Sequence, residues 1–225
     1  LHTSSFISLG PSADGTPLRE SDRAERTGFR TDYERTKYLA DQVTDRWIAR
    51  GTPVVTLYPG VIFGPGARTD GNLVGKLIWM VARGRFPGLI GSGDRIWNLA
   101  YLPDVVAGHC RALERALPGR SYILGGENVP LRTLLEDVHR LLGRPMSRRR
   151  IPQGAAEALG SLLERFAPLT GRAPDLTRGV AQVYRCHWSY DSGAAERDLG
   201  YRRTEFLPAL ETTVRWAEGL EAWGE

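Results

Sequence analysis

The sequence predicts an α/β fold: an open, doubly wound parallel sheet followed by a smaller α/β region. Three consecutive features carry that expectation. Leu1 to Gly10 is a short apolar run that reads as a buried strand ending in hydroxyls, at Thr3, Ser4 and Ser5, and a glycine. From Thr31 a helix is predicted, because Thr31 and Glu34 have the spacing of a capping box, and Leu39, Val43, Trp47 and Ile48 continue an apolar stripe that Gly51 and Pro53 end. Thr52 to Tyr58 reads as a second strand and Pro59 to Gly66 as the loop that leaves it. Strand, helix, strand is a βαβ unit. Ligands of open parallel sheets bind beyond the carboxyl ends of the strands, where both the serines and the Pro-Gly loop fall.

The remaining elements follow in order. Asn72 to Arg83 is an amphipathic helix containing Leu73, Leu77, Ile78 and Val81, Gly84 to Asp94 a glycine-rich loop, and Ile96 to Leu99 a short strand. Pro103 to Leu117 reads as a helix with Pro103 in its first turn and Val105, Val106, Cys110 and Leu113 inward. Asp104 at its start is favourably placed near the helix dipole. Ser121 to Leu124 is a strand, Leu131 to Leu142 a helix closed by Gly143 and Pro145, and Gln153 to Phe166 a further apolar-rich helix. That helix, with Asp175 to Tyr184 behind it, has the composition expected of a lid. Trp188 and Tyr190 alternate on a strand, and Asp191 and Ser192 cap a helix that ends at Leu199 and Gly200.

Chemistry is concentrated in Tyr33 and Lys37, four residues apart in a chain with one other lysine, Lys76. On a helix such a pair shares a face, with Cβ atoms about 5 to 6 Å apart, so the ammonium can sit under the phenol oxygen or beside a ligand bound there. A free tyrosine, with a pKa of about 10, is a poor base at neutral pH. A cation about 4 Å away, at an effective dielectric of about 20, favours the phenolate by about 4 kcal/mol, enough to bring it into range for proton transfer at a hydroxyl or carbonyl. The competing reading of this spacing is an ordinary surface pair on an amphipathic helix.

Composition narrows the function classes. With 41% hydrophobic residues, the 225-residue chain can bury a full core. The formal charge is +4 and the pI about 9.3, but the basic residues are dispersed and nearly all arginine. The one dense run, Arg148 to Arg150 after Arg144, comes with no binding motif, so no nucleic-acid partner is expected. Cys110 and Cys186 form no C-x-x-C pair, and His2, His109, His139 and His187 have no ligand spacing. Neither a metal site nor a disulfide is therefore expected, and a cytoplasmic or other reducing compartment is the default. No apolar run approaches 18 residues, so no membrane span is predicted.

Taken together, Thr3-Ser4-Ser5 with Gly10, Tyr33 with Lys37, Pro59 to Gly66, Tyr101 to Val106, Tyr122 to Asn128, and Asp191-Ser192 leading to Leu199-Gly200-Tyr201 resemble the extended short-chain dehydrogenases/reductases. This is also called the NAD-dependent epimerase/dehydratase family, and the resemblance covers almost the whole chain. Tyr58 to Gly66 and His187 to Tyr190 are most similar to the dihydroflavonol-reductase-like branch and, within it, to farnesol dehydrogenases. The resemblance implies a Rossmann-type sheet and NAD or NADP as cofactor. It implies that Tyr33 is the proton donor or acceptor at the reacting oxygen. Lys37 would hold the nicotinamide ribose and lower the tyrosine pKa, and Ser5 would hydrogen-bond the same substrate oxygen, with Ser4 as its rival. Tyr33 and Lys37 thereby count as cofactor-binding too, along with Pro59, Gly60, Val61 and Ile62, which match the segment lining the nicotinamide. Pro59 donates no backbone hydrogen bond and Gly60 permits close approach, so this loop can pass near a flat ring.

The family also begins with a strand, a glycine-rich turn and a helix that hold the cofactor pyrophosphate. No G-x-G-x-x-G or G-x-x-G-x-x-G occurs here, and the chain starts at Leu1. The expectation is the carboxy-terminal portion of a longer enzyme, inactive alone and exposing an apolar sheet edge. Residues 1–66 would be the second half of the NAD(P)-binding domain. Residues 67–225 would be mainly substrate-binding, with some elements returning to the sheet. The expected activity interconverts a lipophilic alcohol, prenyl or flavonoid-like, and its carbonyl, with a homodimer as the candidate assembly. A nucleotide-sugar epimerase or dehydratase would use the same three residues but needs cationic grips, for which Arg83, Arg85 and Arg95 are candidates. A non-catalytic nucleotide-binding or regulatory protein on the same fold is the third reading.

Overall fold

The computed structural model describes residues 1–220 apart from 24, 67, 69, 70, 147, 148, 171–173 and 175, so Arg148 and Asp175 lie outside the described residues. In chain order the elements are β1 (His2–Thr3), α1 (Phe6–Leu9), a 3-10 turn (Glu20–Asp22), α2 (Asp32–Ala49), β2 (Thr56–Pro59), β3 (Val61–Phe63), α3 (Leu73–Ala82), β4 (Leu89–Ile90), β5 (Ile96–Tyr101) and α4 (Leu102–Arg115). Then come β6 (Ser121–Leu124), β7 (Glu127–Pro130), α5 (Leu131–Leu141), β8 (Arg150–Ile151), α6 (Gln153–Thr170), α7 (Arg178–Val183), α8 (Gly193–Leu199) and α9 (Phe206–Glu218).

The predicted βαβ unit is present: β1, α2 and β2 form a parallel crossover, and β6 pairs on the far side of β2 in the order β1-β2-β6. A second sheet has β3 parallel and β7 antiparallel to β5, and β4 pairs with β8. One apolar core lies between the second sheet and α3, α5 and α9, around Phe63, Ile78, Leu99, Leu134 and Trp188. A smaller one lies under α4 and α8, around Leu57, Val105, Tyr122 and Leu199.

Several boundaries differ from the sequence expectation. The first strand stops at Thr3 because Ser5 takes over as the cap of α1, accepting from Ile7 N (3.5 Å). β2 starts at Thr56 because Pro53 has no donor and Val54 N turns back to the Thr52 carbonyl (2.9 Å). The expected Pro59 to Gly66 loop contains β3: after Gly60 the chain crosses to the second sheet, placing Val61 opposite Leu99. Trp188 and Tyr190 make isolated bridges, to Trp97 and Leu18, in place of a strand. The sequence reading has no counterpart for α1, β4, β7, β8, α7 or α9, although α9 buries Phe206, Leu210 and Val214 at four-residue spacing.

Two helices present other faces than expected. α4 buries Val105, Gly108 and Ala112 and leaves Val106, Cys110 and Leu113 exposed. A Cβ on Gly108 would lie 2.9 Å from Leu124 Cδ2, so the helix sits too close to the sheet for a bulky side chain there. α2 buries Glu34, Tyr38 and Asp41 and exposes Leu39, Val43 and Trp47. Glu34 is tolerated there because Arg26 and Arg30 pair with it, and among the described residues Asp41 meets His2 through Oδ1 alone.

Asn98, fully buried at the centre of β5, joins the two sheets. Its amide nitrogen donates to the Gly126 carbonyl (3.1 Å) and Asn128 Oδ1 (2.9 Å), and its Oδ1 accepts from Gly126 N (3.0 Å). A Cβ at Gly60 or Gly125 would overlap Asn98 Oδ1, so the chain leaving β2 and the chain leaving β6 both need glycine there. Asn98→Ala strands these groups without water and is expected to lower unfolding free energy by about 3 kcal/mol, while Gly60→Ala costs about 1 to 3 kcal/mol through overlap. Urea melts of the two variants against the parent chain measure both.

Burial lowers the pKa of His139 below its ordinary 6.5, and burial followed by the nearby Arg95 does the same for His187. The fold thus favours the neutral form of both imidazoles. Below pH 6.5 the unfolded chain takes up protons that the folded chain refuses, so stability is full above that pH and is lost as pH falls beneath it. Thermal melts between pH 7.5 and about 5 should show that decline, and His139→Asn should flatten part of it.

Candidate active site

A cleft of about 1190 Å³ opens where β1 and β2 end and β3 begins. Ser4, Ser5, Tyr33, Lys37, Pro59, Gly60, Val61 and Ile62 all line it, so the residues singled out from the sequence converge on one space.

α2 supplies Tyr33 and Lys37 from its first two turns. Thr31 caps it as expected, its Oγ1 accepting from Glu34 N (3.1 Å). Tyr33 is 54% exposed, and its hydroxyl makes no hydrogen bond among the described residues. Lys37 Nζ donates to the Thr3 carbonyl (3.2 Å) and sits 5.9 Å from the centroid of the Tyr33 ring. The ammonium is therefore tethered to the end of β1 beside the phenol, with two further N–H donors left over. A second tie holds β1 to the helix, His2 Nε2 lying 2.9 Å from the buried Asp41 Oδ1.

The two serines differ in what occupies them. Ser4 Oγ is paired with Ser8 Oγ (3.2 Å), whereas Ser5 Oγ accepts the capping bond from Ile7 N and keeps its own O–H free to donate. Gly60 behaves differently from expectation: it lines the cleft, but the close approach its missing Cβ allows is to Asn98.

The other half of the expected capping box is not formed, because the Glu34 carboxylate is engaged elsewhere. Fully buried, it accepts from Arg30 N (2.7 Å), Arg30 Nη1 (2.9 Å) and Arg26 Nη2. Arg26 also donates to the Ile7 carbonyl (3.2 Å) of α1, and Arg30 lies over the Trp188 ring (5.7 Å). One carboxylate thus ties the helix of Tyr33 to the helix capped by Ser5 and to the segment carrying Phe29 and Arg30, both of which line the cleft. No periodicity marks residues 11–30 in the sequence. The available signal was the four-residue spacing of Arg26, Arg30 and Glu34.

The far wall is aromatic and aliphatic. Phe6 meets Trp188 edge-on (5.5 Å), and Trp97, Val180, Val183 and Tyr184 complete it. Arg83, Arg85 and Arg95 are not in the cleft: Arg83 donates to the Leu220 carbonyl, Arg85 stacks on Trp79 and Arg95 contacts His187 (2.7 Å). Among the described residues, the guanidiniums that do line it are Arg30 and Arg35. Asp104 does not line it; its carboxylate accepts from Thr204 N (2.7 Å) and Thr204 Oγ1 (2.8 Å).

Residues 1–125 match the model of the NAD dependent epimerase/dehydratase family. The chain belongs to that family. It is 31% identical over 201 residues to 2-alkyl-3-oxoalkanoate reductase of Stenotrophomonas maltophilia, a match covering 85% of this chain and 57% of that protein. It is 26% identical over 220 residues to a dihydroflavonol 4-reductase-like protein of Synechocystis sp., covering 96% and 63%. The solved structure of dTDP-glucose 4,6-dehydratase from Bacillus anthracis in complex with NAD has the same fold, with a TM-score of 0.74 at 15% identity over 98% of this chain and 62% of that one. The chain spans less than two thirds of the length of each. Epimerase/dehydratase family members are NAD(P)-dependent enzymes, and solved structures that share this fold hold NAD or NADPH.

Removing the Glu34 carboxylate leaves Arg26 and Arg30, the first 10% and the second 27% exposed, without their common partner. Glu34→Ala is expected to destabilise the fold by about 3 kcal/mol, read by urea unfolding. Arg35→Ala, whose partner Asp32 is at 3.5 Å on the surface, should cost less than about 1 kcal/mol in the same assay.

Proposed function

We propose that this family member is an NAD(P)-dependent oxidoreductase that interconverts a lipophilic alcohol and its carbonyl, in the manner of a farnesol dehydrogenase or dihydroflavonol reductase. The observation that carries the reading is the meeting of Ser5, Tyr33 and Lys37 with an aromatic and aliphatic wall in one cleft. The two curated relatives described above are reductases by name, which supports oxidoreduction.

The residues present fit the nicotinamide end of a dinucleotide. Lys37 has two uncommitted donors for ribose hydroxyls, Tyr33 has a free hydroxyl, and Pro59 to Ile62 offer a wall for a flat ring. When bound, the cofactor supplies hydride transfer to or from the carbinol carbon. Tyr33 Oη gives or takes the proton of the substrate oxygen. Ser5 directs its free O–H at that oxygen as charge develops on it. Lys37, anchored on the Thr3 carbonyl, keeps a positive charge beside the phenol. In this reading residues 1–66 contribute to the NAD(P)-binding domain and much of 67–225 to the substrate side.

A nucleotide-sugar epimerase or dehydratase is the second reading, supported by the family description and by the dehydratase that shares the fold. It shares the same three residues. Against it stands the cleft's supply of arginines for a diphosphate: among the described residues Arg30 and Arg35 line it, and Arg30 is already paired with Glu34.

A panel of farnesol, geraniol, a dihydroflavonol and several nucleotide sugars separates the two in the active protein. Cofactor absorbance should change with the first three classes alone, and turnover of a nucleotide sugar without net change would replace the oxidoreductase reading. With a working substrate, Tyr33→Phe should lower kcat by about 10² to 10⁴ at nearly constant cofactor affinity, and Ser5→Ala by about 10². Ser4→Ala should be milder. Wild-type turnover by Tyr33→Phe would return Tyr33 and Lys37 to an ordinary surface pair.

A further inference from the structure

The aromatic wall of the cleft carries polar groups that the protein itself leaves unanswered. Elsewhere such groups find partners: Trp188 donates its indole N–H to the Val183 carbonyl (3.0 Å), and the hydroxyls of Tyr190 and Tyr201 reach the carbonyls of Gly10 and Gly125. Trp97 differs. It lines the cleft from β5 and is 4% exposed, yet its Nε1 has no hydrogen-bond partner among the described residues. Of the buried side-chain polar atoms left without a partner among those residues, it is the one that belongs to a cleft residue. Tyr184, at the end of α7, lines the cleft beside it, the two rings 4.9 Å apart. Its hydroxyl likewise makes no hydrogen bond among the described residues, and burial alone pushes its pKa above the ordinary 10.

Buried polar groups are paired as a rule, and an N–H shut away from water without an acceptor is costly. On the wall of a ligand site such an exception has a use, because the acceptor arrives with the ligand. The chemistry of the pair says what that acceptor is. An indole N–H only donates, and a phenol held protonated donates as well. The wall that Trp97 and Tyr184 share with Phe6, Val180, Val183 and Trp188 is otherwise apolar. A carboxylate placed against it would need a cation to offset its loss of water, and Arg30, which lies over the Trp188 ring, already serves Glu34. An uncharged oxygen, such as that of a ketone, ester or ether, needs only the two donors.

We propose that Trp97 and Tyr184 determine specificity, donating from Nε1 and Oη to a second, uncharged acceptor oxygen that the substrate carries apart from the oxygen handled by Tyr33 and Ser5. The substrate class is then a lipophilic compound oxygenated at two places. Farnesol and geraniol have one oxygen each and leave the pair unanswered, so a dihydroflavonol ranks above them. This inference rests on the reading of the cleft as a site for lipophilic alcohols and carbonyls, but not on hydride transfer.

Calorimetry on the chain without cofactor tests it, with dodecanone, the dodecanediones and oxododecanoic acid as probes. At least one dione is expected to bind about 10-fold tighter than dodecanone, and the acid no tighter than dodecanone. Tyr184→Phe and Trp97→Phe each keep an aromatic ring and remove the donor, so both should lose that preference while binding dodecanone as the parent does. Should one of them fail to fold, judged by circular dichroism, the other decides. Tyr33→Phe should keep the preference. The proposal is overturned if the parent binds dodecanone and every dione alike, or if a folded Tyr184→Phe or Trp97→Phe variant keeps the preference. Tightest binding of the acid also overturns it, by making the wall a carboxylate site. Binding of none of the probes would remove the lipophilic reading and this proposal together. A dione preference in a protein that turns over no alcohol or ketone would support the proposal and count against the oxidoreductase reading alone.

Discussion

A carboxamide shut away from water, Asn98, is the joint on which the architecture turns. Buried amides are costly unless every group finds a partner. Asn98 finds its partners in Gly126 and Asn128, at the place where the chain leaves the first sheet and enters the second. The tightness of that joint excludes side chains at positions 60 and 125. Because Gly60 lies between β2 and β3, the same contact fixes how Pro59, Val61 and Ile62 are presented to the cleft.

The second determinant is ionic. α2 turns a carboxylate face inward, and the phase of the helix follows from where Arg26, Arg30 and His2 meet it. Once Glu34 and Asp41 are fixed, Tyr33 and Lys37, one residue before the first and four before the second, have their place at the cleft. Lys37 then meets the Thr3 carbonyl at the end of the strand that also leads to the serines. Local capping, a buried ion cluster and one lysine-to-backbone bond thus act in series to bring the sequence motif into one space.

What was legible in the sequence was the spacing of chemically distinctive residues. Tyr33 with Lys37, the serines before Phe6 and the Pro59 to Gly66 run could be read because their meaning lies in order and distance along the chain. The crossover helix and several helix ends were legible too, since Thr31, Gly143 and Gly200 act locally. The faces of helices were harder. Periodicity assumes that apolar residues go inward, and it fails where a helix packs closely through Gly108 and Ala112 or Ala156 and Gly160, or through paired charges as in α2. Asn98 could not be foreseen because its partners lie about thirty residues away in sequence. Residues 11–30 have no period at all, yet Ser12, Leu18 and Arg26 tie them to the bridges at 187–190 and to α1.

The exchanged faces of α2 bear on how variation in this protein is to be weighed. Hydrophobicity is the common yardstick of constraint, ranking a tryptophan or valine above an aspartate. Along this helix the ranking runs backwards. Positions 39, 43 and 47 are open to drift as far as the contacts of this chain are concerned, while 34 and 41, polar and outwardly unremarkable in a list of substitutions, are closed to it. A lineage that exchanged Trp47 for a charged residue would keep its core. One that exchanged Asp41 for leucine would leave His2 without its partner and loosen the strand on which Lys37 rests.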